Sequence, residues 1–135
     1  MDAVARWRSW APYLLSLLRI VAAAIFITSG TTKMLGWPAP MPEGMTFHLV
    51  SQVGLGAVLE VFGGALVLLG LFTRPVAFIL AGEMAVAYFQ FHAPQSFWPT
   101  VNMGIPAILY CFVWLYISAA GPGPLSLDAL MARRK

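Results

Sequence analysis

Gly54-Leu-Gly56-Ala-Val-Leu-Glu60-Val-Phe-Gly63-Gly64-Ala-Leu-Val-Leu-Leu-Gly70-Leu-Phe-Thr73-Arg74 is an apolar run of membrane-spanning length with one carboxylate near its middle. About 20 apolar residues cover a hydrocarbon core ~30 Å thick. A charge at the centre of that core costs at least ~2.5 kcal/mol, so Glu60 must face protein or water and find a partner. Glycines at 54, 56, 63, 64 and 70 let neighbouring helices approach closely. The other apolar segments are arranged around this one.

The composition agrees. The chain is 60% hydrophobic and 10% charged, with a mean hydropathy of +0.80, whereas charged residues make up about a quarter of an ordinary globular domain. A length of 135 residues is read as one domain, 1–135. The net charge of +3 then reports topology rather than nucleic-acid binding. The single cysteine, Cys111, excludes an internal disulfide, a cysteine-ligated zinc site and a C-x-x-C-H haem attachment. Arg6 and Arg8 ahead of Leu14–Ile27 imitate a signal peptide, but the apolar run continues to Leu35 without a small-x-small site, so it is read as an uncleaved span.

The expected fold is all-α: an integral membrane four-helix bundle with spans at about 13–35, 49–72, 75–92 and 102–120. Pro38, Pro40, Pro42 and Gly44 break the chain after span one, and Thr73-Arg74-Pro75 makes a tight turn with Pro75 at the first helical position. Asn102 is read as the N-cap of span four, and Gly121-Pro-Gly-Pro124 ends it. In this scheme Arg6, Arg8, Arg74, Arg133, Arg134 and Lys135 share one side, and the opposite loops hold no Lys or Arg. The positive-inside rule then puts both termini in the cytoplasm of a multi-pass protein of a bacterial-type inner membrane.

The intramembrane ionisable set is Arg19, Lys33, Glu60 and Glu83, with His92 at the outer end of span three. At ~1.5 Å per residue, Arg19 lies about 9 Å in from the inner end, Glu83 about 12 Å and Glu60 about 18 Å. Arg19 is therefore nearly level with Glu83, though its long side chain can bridge to either glutamate, and Lys33 and His92 share the outer end of the same polar seam. Two readings stand side by side. The charges neutralise each other and lock the bundle, or they form a proton-relay or quinone site. Tyr88 and Asn102 are candidate ligand contacts, with packing and capping as their alternative role. No metal site is assigned; Met41, Met45 and His48 form a soft donor set of the type Cu(I) takes, at a spacing that matches no fixed motif. The two histidines both lie near the outer edge, which argues against intrinsic haem.

Four stretches together resemble the DoxX family of small four-helix membrane proteins: Leu18-Arg19-Ile with Phe26, Gly30 and Lys33-Met-Leu-Gly36; Leu59-Glu60 through Thr73-Arg74; Gly82-Glu83-Met84-Ala85-Val-Ala87-Tyr88 leading to His92 and Phe97-Trp98-Pro99; and Asn102-x-Gly104 with Leu109-Tyr110 and the ending Gly121-Pro-Gly123-Pro-Leu-Ser-Leu-Asp128. The family often has an acidic residue directly after Asn-x-Gly, where this chain has Ile105. The resemblance implies a membrane subunit associated with redox systems, quinol-linked in one branch and tied to oxidative-stress and thiol defence in another.

The resulting expectation is a small inner-membrane subunit or anchor of a quinone-linked redox complex. It goes no further than a non-catalytic or quinone-interacting subunit of an oxidoreductase. No cofactor is intrinsic, quinone being the candidate ligand; the partners are the lipid bilayer, redox subunits and further copies of the chain. The competing classes are a structural bundle without chemistry of its own, a small-molecule or proton permeation protein, and a copper-handling protein.

Overall fold

The computed structural model describes residues 1–135, which are helical with no strand. Helix α1 (Ala3–Arg8) passes through a turn at Ser9–Trp10 into α2 (Ala11–Leu35). After a long loop, α3 (Gln52–Val58), a π turn (Leu59–Gly63) and α4 (Gly64–Leu69) form one continuous rod. Helix α5 (Thr73–Ala87) is prolonged by a second π turn, Tyr88–His92. A short α6 (Pro99–Asn102) precedes α7 (Ile105–Ala120), and α8 (Leu127–Arg133) closes the chain.

All four expected apolar segments are helical, with shifted ends. Ser51 opens α3 by accepting from the Gly54 N–H at 3.1 Å, three residues later than expected. Thr73 rather than Pro75 begins α5. Asn102 ends α6 instead of capping α7; its side-chain oxygen accepts from the Gly104 N–H at 2.8 Å, and the helix starts at Ile105. Two continuous segments, Ala3–Leu35 and Gln52–Leu69, are long and apolar enough to cross a membrane; α7 is apolar but shorter.

Packing is inverted relative to a water-soluble domain. Only 23 of 135 residues are buried, and the buried set is rich in Ala23, Ala57, Ala77, Ala81 and Ala107, while Leu55, Phe62, Phe78, Phe89, Leu109 and Phe112 face outward. Lipid tails are as apolar as leucine, so helices gain by close contact between small residues rather than by hiding large ones. Helix α5 lies along α7, and α2 lies along the α3–α4 rod. Phe26, Trp114, Leu80 and Ile117 fill the centre, with the Phe26 and Trp114 rings edge-on at 5.3 Å.

One end is tied by Arg19, which is fully buried. Its Nε donates to the Pro122 carbonyl at 2.9 Å, Nη1 donates to Val67 and Leu68 at 2.7 and 2.8 Å, and Nη2 donates to Leu125. These are carbonyls of the last turn of α4, where Val67 O also accepts from the Gly70 N–H at 3.0 Å, and of the loop before α8. Gly70 turns there with φ of 69°, and an added Cβ would lie 2.7 Å from the Arg19 Nη1. Asp128 completes the knot: its two oxygens accept from the Phe72 and Thr73 N–H groups, each at 3.0 Å. Phe72 is held at φ 50°, a conformation disfavoured for a bulky residue and fixed here by that hydrogen bond. Partial burial opposes the Asp128 charge, but the Thr73 and Phe72 hydrogen bonds and the nearby Arg19 outweigh it and hold the carboxyl below its usual range.

Arg19→Lys keeps the charge but loses the planar fork that reaches four carbonyls. It should lower stability by about 2–4 kcal/mol in denaturant unfolding in micelles. A variant within about 0.5 kcal/mol of wild type, the range of inert surface changes, would refute the knot's importance.

Candidate functional site

The second cluster of charges lies farther along the rods. On α2, Gly30 sits so close to the α3–α4 rod that an added Cβ would meet the Ala57 carbonyl and the Glu60 Cβ, each at 2.9 Å. One turn on, Lys33 reaches Glu60, with Nζ to Oε1 at 2.7 Å, the single salt bridge of the structure. Glu60 is 2% exposed and the Lys33 side chain 25%. Glu60 stands within a π turn, a feature frequent at functional sites because the wide turn re-aims a side chain.

Glu83 comes from α5 and lies against Gly56, whose added Cβ would be 3.2 Å from the Glu83 Oε1. Gly56 and Glu60 are four residues apart on one helix face. Glu83 is thereby within electrostatic reach of both Glu60 and Lys33. Two acidic side chains lie near one ammonium, and only Glu60 bonds to it. The Oε2 atoms of Glu60 and Glu83 are both buried and neither has a hydrogen-bond partner. Tyr110, on α7, packs its ring on Phe26 at 5.0 Å and donates its hydroxyl to the Ala22 carbonyl at 3.4 Å. It also lines an open apolar groove of about 570 Å³ between α2 and α7.

The structure divides the expected seam. Arg19 meets neither glutamate, because α2 side chains lean towards the helix N-terminus and carry the guanidinium away from them. The same lean brings Lys33 from the outer end back down to Glu60. His92 is not hydrogen-bonded to Lys33. Instead its Nδ1 meets the Asn102 carbonyl at 2.9 Å and its ring stacks with Tyr88. The Asn102 amide donates to Ser96 O at 2.9 Å and to the Tyr88 hydroxyl at 3.3 Å. Tyr88, His92 and Asn102 thus form a separate cluster where α5 meets the start of α7. Gly30, Gly56 and Tyr110 are the site residues that the charge pattern alone did not single out; the spacing Gly30-x-x-Lys33 was the available signal.

No group of three or more His, Cys, Asp or Glu side chains is placed to hold a metal. Of the soft donor set, Met45 and His48 line a shallow cavity of about 480 Å³ with Ser51 and Phe91, and Met41 does not line it.

Residues 14–93, which carry Arg19, Lys33, Glu60, Glu83 and His92, match the DoxX family model. The chain belongs to the DoxX family. The match stops short of Asn102-x-Gly104 and the Gly121–Asp128 ending. An uncharacterized protein of Haemophilus influenzae is similar, 42% identical over 88% of this chain and 91% of its own. So are two Escherichia coli proteins, inner membrane protein YphA, 29% identical over 87% of this chain and 89% of its own, and inner membrane protein YqjF, 29% identical over 86% and 90%. No solved structure matches it significantly. This DoxX family member is a membrane protein, as its outward-facing apolar surface requires.

If the Lys33–Glu60 pair is a partnered unit, Lys33→Met alone should destabilise by about 2 kcal/mol or more, less than the ~3–5 of a fully buried pair because Lys33 is 25% exposed. Lys33→Met with Glu60→Leu should recover most of that loss in the same unfolding measurement. Strictly additive losses would sink the pairing.

Proposed function

We propose that the chain is a four-span bundle of the inner membrane with both termini cytoplasmic, and that it acts as a small quinone-interacting subunit or anchor of a redox assembly. The Lys33–Glu60–Glu83 cluster is its ligand site. One observation carries this reading: each glutamate leaves a buried oxygen without a partner, and the one lysine nearby bonds only Glu60. A buried acceptor left unmatched costs about 1–3 kcal/mol, so the site favours a ligand that brings donors. A quinol offers hydroxyl donors to the carboxylate oxygens, and its oxidised form offers carbonyls to the lysine. The ring and tail of such a molecule suit the apolar surroundings. Electron exchange is assigned to the partner subunit, and proton acceptance to the carboxylates.

A short-tailed benzoquinol titrated into the purified protein in detergent should bind saturably and raise the unfolding temperature. Glu60→Gln and Glu83→Gln should each weaken binding about tenfold or more, the worth of one charge-assisted hydrogen bond. No binding, together with no redox subunit co-purifying from native membranes, would overturn the reading.

The orientation is tested separately. With Cys111→Ala as background, Glu43→Cys and Ser96→Cys should react with an impermeant thiol reagent added to intact spheroplasts. Arg74→Cys and Lys135→Cys should react only after lysis. The reverse pattern would invert the topology.

A further inference from the structure

The sequence has eight Lys and Arg residues, and three of them are engaged within the fold. Arg19 holds backbone carbonyls, Lys33 holds Glu60, and Arg74 donates to the Ser118 and Ala119 carbonyls at the end of α7. The remaining five, Arg6, Arg8, Arg133, Arg134 and Lys135, are all exposed, and no side-chain hydrogen bond or ion pair engages any of them. They sit at one end of the molecule. Leu125 N donates to Ser16 Oγ, and Asp128 N donates to Gly70 O, so α8 is seated beside the start of α2 and the α4–α5 turn. The acids at this end are already used. Asp2 accepts from the Ala5 N–H at 2.7 Å, and Asp128 caps α5. Among these cations, α1 exposes Val4 and Trp7, and α8 exposes Leu127, Leu130 and Met131.

We propose that α1 and α8 together form a seat for the acidic phospholipid headgroups of the adjoining leaflet. Five unpartnered cations complement an anionic surface in charge, and the apolar and tryptophan side chains between them suit the headgroup–acyl boundary, where amphipathic helices lie. Asp128 makes the seat rigid, because the residue that caps α5 also fixes where α8 begins. Lipid binding here steadies the same knot that Arg19 holds. The inference uses the membrane location and not the quinone site.

The test uses the purified full chain in neutral detergent, with the unfolding temperature read on addition of dioleoyl-phosphatidylglycerol or dioleoyl-phosphatidylcholine mixed micelles. Phosphatidylglycerol should raise it by several degrees more than phosphatidylcholine, and high salt should shrink the difference, since exposed charges are screened. The variant with Arg6→Gln, Arg8→Gln, Arg133→Gln, Arg134→Gln and Lys135→Gln should unfold at the wild-type temperature without lipid and lose the difference between lipids. An equal shift with both lipids, a full shift in the variant, or a shift reproduced by inorganic phosphate alone would overturn the proposal. So would a variant already destabilised without lipid, which would show these side chains to be engaged within the fold, or loss from the variant of a co-purifying acidic protein with no lipid effect.

Discussion

An ionised side chain surrounded by hydrocarbon must have its partners supplied by the protein itself, because neither water nor lipid tails can supply them. This chain meets the constraint twice, in different ways. Arg19 is surrounded by carbonyl oxygens and needs no carboxylate, since a planar guanidinium distributes its donors over several acceptors. Lys33 is a point charge set against one carboxylate, that of Glu60. In the first, every guanidinium nitrogen has an acceptor. The second leaves acceptors over, and that difference separates a structural knot from a site with capacity for a ligand.

Both arrangements depend on close backbone approach. Gly30 leaves no room for a side chain where α2 meets the Glu60 face, and Gly56 leaves little where the Glu83 carboxyl of α5 lies against it. In a membrane this geometry is favourable by itself, because helix association relies on van der Waals fit and polar contacts rather than on hiding apolar surface. The π turns at Leu59–Gly63 and Tyr88–His92 fall on the helices that carry the glutamates. Local irregularity and functional chemistry thus share the same rods, while the alanine-lined contacts elsewhere stay regular.

The two ends of the molecule are therefore different in kind. At the Arg19 end, loop carbonyls, Asp128 and α8 lock helix termini together, and a set of unpaired cations projects outward. At the other end, Tyr88, His92 and Asn102 join α5 to the start of α7 through their own hydrogen bonds. Glu60 and Glu83 lie between these ends.

Composition and hydrophobic run length alone determined that this is an all-helical membrane protein, and the four apolar segments begin within about three residues of where their patterns place them, because burial in lipid demands long uninterrupted helices. The motif residues also determined the family, since the match covers the stretch from α2 to the second π turn. The charged residues worth watching were legible as violations of that apolar pattern. Their partners were not. Depth counted along helix axes placed Arg19 level with Glu83, but side chains lean towards the N-terminus of their own helix, which sends Arg19 one way and draws Lys33 to Glu60. Two of the four carbonyls that take Arg19 belong to a loop more than a hundred residues away, Pro122 to Leu125. Only the tertiary fold brings that loop under α2. Pairing is a property of directions in space, and one-dimensional order records position without direction.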